Sequence, residues 1–140
     1  MLESVLRSGL QVIKYHHCDI CPTAAKVMRH RLNELGARYP ELLSSDATDG
    51  AFDTLPQDVK LISTPELSAI VRDLVDTGAT LFVGAGYSCK DLSSAGGAPK
   101  GLRGSRSSLF YPAVEIVTIL QQKLPDKQAI IHEWVTLWRT

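Results

Sequence analysis

The chain has no surplus of charge of either sign. Lysine and arginine number 15, aspartate and glutamate also 15, and with histidine neutral the net charge is zero. That removes any global electrostatic argument for nucleic acid, and equally for an acidic partner. Long apolar runs are missing too: none approaches the ~18 residues that span a bilayer. The start, Met1-Leu2-Glu3-Ser4-Val5-Leu6-Arg7, has no basic stretch followed by an apolar one, so no secretory signal is expected. Cysteine is scarce, three in all, and the number is odd. In a chain read as intracellular this argues against disulfides. Each cysteine is then better considered as a nucleophile or a ligand. No internal repeat or low-complexity block is visible.

What is present suffices for a core. The chain has 140 residues, 44% of them apolar and 21% charged. This is the size and composition of one ordinary domain, not of a disordered tail, so residues 1–140 are read as a single unit.

Apolar residues Leu2, Val5, Leu6 and Leu10 recur at helical spacing and stop at Gly9. Gln11 to His16 alternates and is rich in β-branched residues, which predicts a short strand. Pro22 then opens a helix over Thr23 to Leu35, with Ala25, Val27, Met28, Leu32 and Leu35 inward and Gly36 as its C-cap. Arg38 to Pro56 reads as a long connection with a strand piece at Leu42-Leu43. Val59 to Ile62 predicts another short strand. Ser63 or Thr64 caps a helix from Pro65 to about Asp76, which turns Leu67, Ile70, Val71, Leu74 and Val75 inward. Gly78 ends it. Thr80 to Val83 predicts a strand buried on both faces, and Gly84 to Ser108 a loop. Leu109 to Leu124 predicts a helix with Val114, Val117, Ile119 and Leu120 inward, and Gln128 to His132 a last strand. Strands alternating with helices predict an α/β fold with a mostly parallel sheet. Ligands of such sheets gather beyond the carboxyl ends of the strands.

One loop carries candidate chemistry. In Val83-Gly84-Ala85-Gly86-Tyr87-Ser88-Cys89-Lys90-Asp91-Leu92-Ser93, a strand delivers Cys89 into a glycine-rich loop. Backbone N–H groups and Lys90 there suit a thiolate nucleophile. Read from composition alone, Cys89 is as readily a small apolar residue at a strand end.

This loop resembles the nucleophile loop of DNA (cytosine-5) methyltransferases, usually Gly-Gly-x-Pro-Cys-Gln/Asn-Asp-x-Ser. Lys100-Gly101-Leu102 with Leu109-Phe110 is similar to the family's Lys-Gly-Leu and Leu-Phe-Phe segment, and Ile131-His132-Glu133-Trp134-Val135 to its Glu-Asn-Val segment. The details Asp58-Val59 and Asp91-Leu92-Ser93 look closest to the de novo class. The resemblance implies a partial Rossmann-like methyltransferase domain whose sheet lacks the first strand. It also implies S-adenosylmethionine as cofactor and transfer of its methyl group to C5 of a flipped-out cytosine in DNA. Cys89 would attack C6 and Glu133 would hold the N3 edge. Asp19, with Ile20, would meet the cofactor's ribose; Asp58, with Val59, would meet its adenine, Asp46 being a second candidate there. Lys90, Ser93, Arg103 and Arg106 would contact DNA. Ser88, Lys90 and Trp134 depart from the family's usual Pro, Gln or Asn, and Asn. The family's first cofactor loop and target-recognition region have no counterpart here, so the chain is expected to be a fragment or decayed paralogue with little turnover. The alternative is a non-catalytic binding or regulatory module of the same fold. The expected location is intracellular, the nucleus in a eukaryote, with no membrane partner. Self-association through open sheet edges is also expected.

Other readings attach to the same residues. Cys18-x-x-Cys21 beside His16 and His17 suggests zinc, but no second Cys/His pair follows at a familiar spacing. Adjacent histidines on a strand also point to opposite faces. A redox pair requires a helix N-terminus, which Pro22 almost supplies. Gly84-x-Gly86 with Gly96-Gly97 lacks the spacing of a phosphate loop. The cluster Lys90, Lys100, Arg103 and Arg106 also fits an ordinary solvated loop. A hydrolase using Cys89 and His132 lacks an evident orienting partner.

Overall fold

The computed structural model describes residues 1–86, 101–104, 107–124 and 130–134. The chain divides into two units, Met1–Ile62 and Ser63–Thr140.

In the first unit, α1 (Leu2–Arg7) lies against α2 (Pro22–Arg38). Leu6 is fully buried in a cluster with Leu32, Leu35, Leu43, Ala47, Ala51 and Phe52. Glu3 of α1 pairs with Arg31 and, at 3.2 Å, with Arg38, so charge fixes the same helix contact that the leucines fill. Pro22 occupies the first turn of α2, where its missing N–H is not needed. The helix does not stop at Gly36 but runs on to Arg38. A Cβ at Gly36 would sit 3.6 Å from the Leu43 carbonyl oxygen, an ordinary contact. The modest helix penalty of one glycine does not stop the helix there. Val27, expected inward, is exposed.

The predicted strand Gln11–His16 forms no strand. Val12 forms one isolated bridge with Leu43. The N–H groups of Val12, Tyr15 and His17 donate to the carbonyls of Leu42, Ala47 and Ala51, each at 2.8 Å. Those acceptors lie on a stretch wound through the short helix α3 (Ser45–Thr48). A wound chain offers a carbonyl only about once per turn, so no ladder propagates. The predicted strand at Val59–Ile62 is instead a turn of 3-10 helix, Val59–Leu61. Asp58 caps it, its side chain accepting from the Lys60 N–H at 3.0 Å. A side-chain acceptor that competes in this way for the backbone favours a turn over a strand.

The second unit begins with α4 (Thr64–Thr77). Ser63 and Glu66 form a capping box, in which Glu66 accepts from the Ser63 N–H at 3.0 Å. Gly78 ends the helix in the left-handed conformation, φ 65°. β1 (Leu81–Ala85) follows, then 3-10 turns at Gly101–Arg103 and Ser107–Leu109, α5 (Phe110–Lys123) and β2 (Ile130–Trp134). Ser107 is wholly buried, its hydroxyl donating to the Gly101 carbonyl at 2.6 Å. α4 packs on α5, burying Leu67, Leu74, Val117, Leu120 and Leu124. β1 and β2 pair in parallel, Leu81 opposite Ile130 and Gly84 opposite Glu133.

This parallel pair is the whole sheet among the described residues. β1 is not buried on both faces: its burial alternates and Phe82 is exposed. The expected α/β architecture is therefore corrected. A Rossmann-like methyltransferase domain is organised around a parallel sheet of several strands. Here two of the segments assigned to that sheet are an isolated bridge and a helical turn, and helices make up most of the described structure. The resemblance to DNA (cytosine-5) methyltransferases, whether as enzyme or as non-catalytic module of that fold, falls with the sheet. No helix among the described residues is long and apolar enough to cross a membrane.

Candidate functional site

Of the residues expected to act, Cys89, Lys90, Ser93 and Arg106 lie outside the described residues. Glu133 sits on β2 opposite Gly84. Arg103 is exposed on the 3-10 turn Gly101–Arg103. Asp46 is exposed in the first turn of α3.

The four positions assigned to S-adenosylmethionine do not end strands. Asp19 and Ile20 lie in the loop before α2, and Asp58 and Val59 start a 3-10 turn. Both carboxylates have local backbone work: Asp19 accepts from the Cys21 N–H at 2.8 Å, and Asp58 from the Lys60 N–H. With no run of strand ends to form a cleft, the cofactor assignment is withdrawn.

The structure nevertheless gathers several of these residues around a thiol. Cys18 is half-buried, and its Sγ–H donates to the Gln57 carbonyl at 3.4 Å. Burial pushes the Cys18 thiol up, and the charges of Asp58 and Asp19 push it further in the same direction. Three residues on, Cys21 is exposed and is the N-cap residue of α2. The Asp19–Cys21 hydrogen bond closes the intervening turn. The first turn of α2 contains no acidic residue, and the Asp19 carboxylate on the Cys21 N–H is the negative charge at that end of the helix. The Cys21 side chain makes no capping hydrogen bond to that turn and is open to solvent.

The two histidines have different partners. His16 Nδ1 lies 2.8 Å from the Thr54 hydroxyl. His17 turns inward and packs on Phe52, ring centroids 4.7 Å apart. The Arg29 guanidinium covers the Phe52 ring at 3.9 Å. His17 Nε2 is buried with no hydrogen-bond partner among the described residues. Burial lowers the His17 pKa and Arg29 lowers it further, against an opposing pull from Asp19.

Among the described residues, no three His, Cys, Asp or Glu side chains gather closely enough to hold a metal ion. Gln57, Phe52 and Arg29 were not legible in the sequence as members of this site. Gln57 contributes only a backbone carbonyl, and it lies 39 residues from Cys18.

Compared with known proteins, the chain finds no match: no family model fits it, and no curated protein or solved structure is similar to it.

Proposed function

We propose that the first unit works in thiol–disulfide exchange, with Cys21 as the attacking thiol and Cys18 as the resolving one. The observation that carries this reading is the asymmetry of the pair. One cysteine is exposed at the positive end of a 17-residue helix. The other is half-buried and hydrogen-bonded through its proton, its thiol pushed up first by burial and then by the two carboxylates. Exchange needs both properties: the first sulfur must be reachable as a thiolate, and the second must wait.

The Cys21 thiol gives its proton to solvent, and its sulfur attacks one sulfur of a substrate disulfide. The substrate S–S bond breaks, and the departing thiolate takes up a proton. Cys18 then loses its proton and attacks Cys21 Sγ in the mixed disulfide. The second substrate thiol leaves and a Cys18–Cys21 disulfide remains. Two electrons pass from protein to substrate, and the reverse sequence oxidises a substrate dithiol.

The test uses the full chain with Cys89→Ser, which leaves only this pair. Equilibration in dithiothreitol or hydroxyethyl disulfide buffers, followed by acid quench, alkylation and mass measurement, should show a single two-electron step linking Cys18 to Cys21. Cys18→Ser in that background should accumulate the mixed disulfide at Cys21. Absence of the intramolecular bond across all buffers overturns the reading.

A further inference from the structure

The surroundings of the thiol pair also carry information about its substrate. Both charges that reach Cys18 are carboxylates, Asp19 and Asp58, and each is anchored by a backbone hydrogen bond. They cannot swing away without giving up those contacts. Beside them stand two exposed aliphatic side chains. Ile20, between the two cysteines, is 67% exposed. Leu61 is 66% exposed, and its N–H donates to the Asp58 carbonyl, which ties it to the same turn. One lies between the two cysteines and the other on the turn that Asp58 caps, so both are open to a substrate's apolar groups.

We infer that the disulfide exchanged here belongs to a peptide or protein whose cysteine is flanked by apolar and basic side chains, rather than to an anionic small thiol such as glutathione. This rests on the exchange reading above. Glutathione disulfide is an anion at neutral pH and is repelled by Asp19 and Asp58. A neighbouring lysine or arginine on the substrate is attracted by the same two carboxylates, and aliphatic neighbours cover Ile20 and Leu61. Charge complementarity acts mainly on the rate of encounter and is damped by salt.

The experiment measures second-order oxidation of the reduced Cys89→Ser protein by four disulfides. These are hydroxyethyl disulfide (neutral and small), glutathione disulfide, and two capped pentapeptide disulfides identical except for lysine or glutamate beside the cysteine, with leucine at the ends. At low ionic strength the lysine peptide should react about tenfold or more faster than the glutamate peptide. The gap should shrink in salt, and it should shrink again in Asp58→Asn, where the asparagine carbonyl still accepts from the Lys60 N–H. Ile20→Ser should slow both peptides alike, and by a larger factor than it slows hydroxyethyl disulfide. Equal rates for the two peptides, or glutathione disulfide matching the lysine peptide, overturn this inference while the exchange reading stands. Failure of hydroxyethyl disulfide itself to oxidise the pair overturns the exchange reading instead.

Discussion

The Cys18 thiol donates to the carbonyl oxygen of Gln57 at 3.4 Å, joining the loop before α2 to the turn that Asp58 caps. This one contact brings Asp58 near a cysteine that is far from it in the chain. It makes the chemistry of Cys18 depend on a residue of another segment.

That dependence is measurable. Burial is the largest reason the Cys18 thiol is raised, and Asp58 adds to it. Asp58→Asn removes the charge but not the burial. The thiol should therefore ionise at lower pH than in the parent protein, while staying above the ordinary cysteine value. The pH dependence of iodoacetamide labelling at Cys18, read by peptide mass in the Cys89→Ser background, checks this. An unchanged profile would mean that Asp58 does not reach the sulfur.

His17 should make the first unit sensitive to mild acid. Its folded pKa lies below the ordinary 6.5, chiefly through burial. The unfolded chain thus takes up the proton first, and folding stability falls as pH drops from about 7 through the unfolded value toward the folded one. Below the folded value the loss levels off. The carboxylates with lowered values, Glu3, Glu34 and Glu66, lose their contributions only in a more acidic window, below their ordinary 4.5. Urea midpoints between pH 7 and 5 should fall for the parent. In His17→Phe, which keeps a ring against Phe52, they should be markedly flatter.

Leu6 anchors α1 on α2 and is 1% exposed. Leu6→Ala should cost the first unit about 2–5 kcal/mol, by lost burial and the cavity left behind. Urea unfolding followed by circular dichroism measures the shift. A change below about 1 kcal/mol would show that this helix contact contributes little.

Two glycines should respond oppositely to alanine. Gly36 sits inside α2 with its Cβ position at ordinary contact distance from the Leu43 carbonyl, so Gly36→Ala should stabilise by roughly 0.5–1 kcal/mol. Gly78 has open space around it but a φ of 65°, so Gly78→Ala should destabilise by about 1 kcal/mol through backbone strain alone. Thermal midpoints of the two variants, compared side by side, give the signs.

Helix positions were largely legible because their signals are local. Pro22 opens α2 from its first turn, and Ser63 with Glu66 and Gly78 brackets α4 as the caps predict. The strands Leu81–Ala85 and Ile130–Trp134 lie close to the apolar runs that announced them. The methyltransferase resemblance was of another kind. It rested on short motifs, several of them in residues 87–100, and on the assumption that a sheet would form to carry them. A motif of a few residues does not encode the strand order around it.

Prolines and caps by themselves determined where α2 and α4 begin and where α4 ends, because those choices depend on contacts within a few residues; they announced neither α3 nor the run of α2 past Gly36. Only the tertiary structure decided that Gln11–His16 would not be a strand, whereas the Asp58 cap that turns Val59–Leu61 is a local signal. A strand exists through its partner, and the segment that faced Gln11–His16 offered wound backbone in place of an extended edge. The same folding brought Gln57 and Asp58 to Cys18, a meeting that no local spacing could have announced.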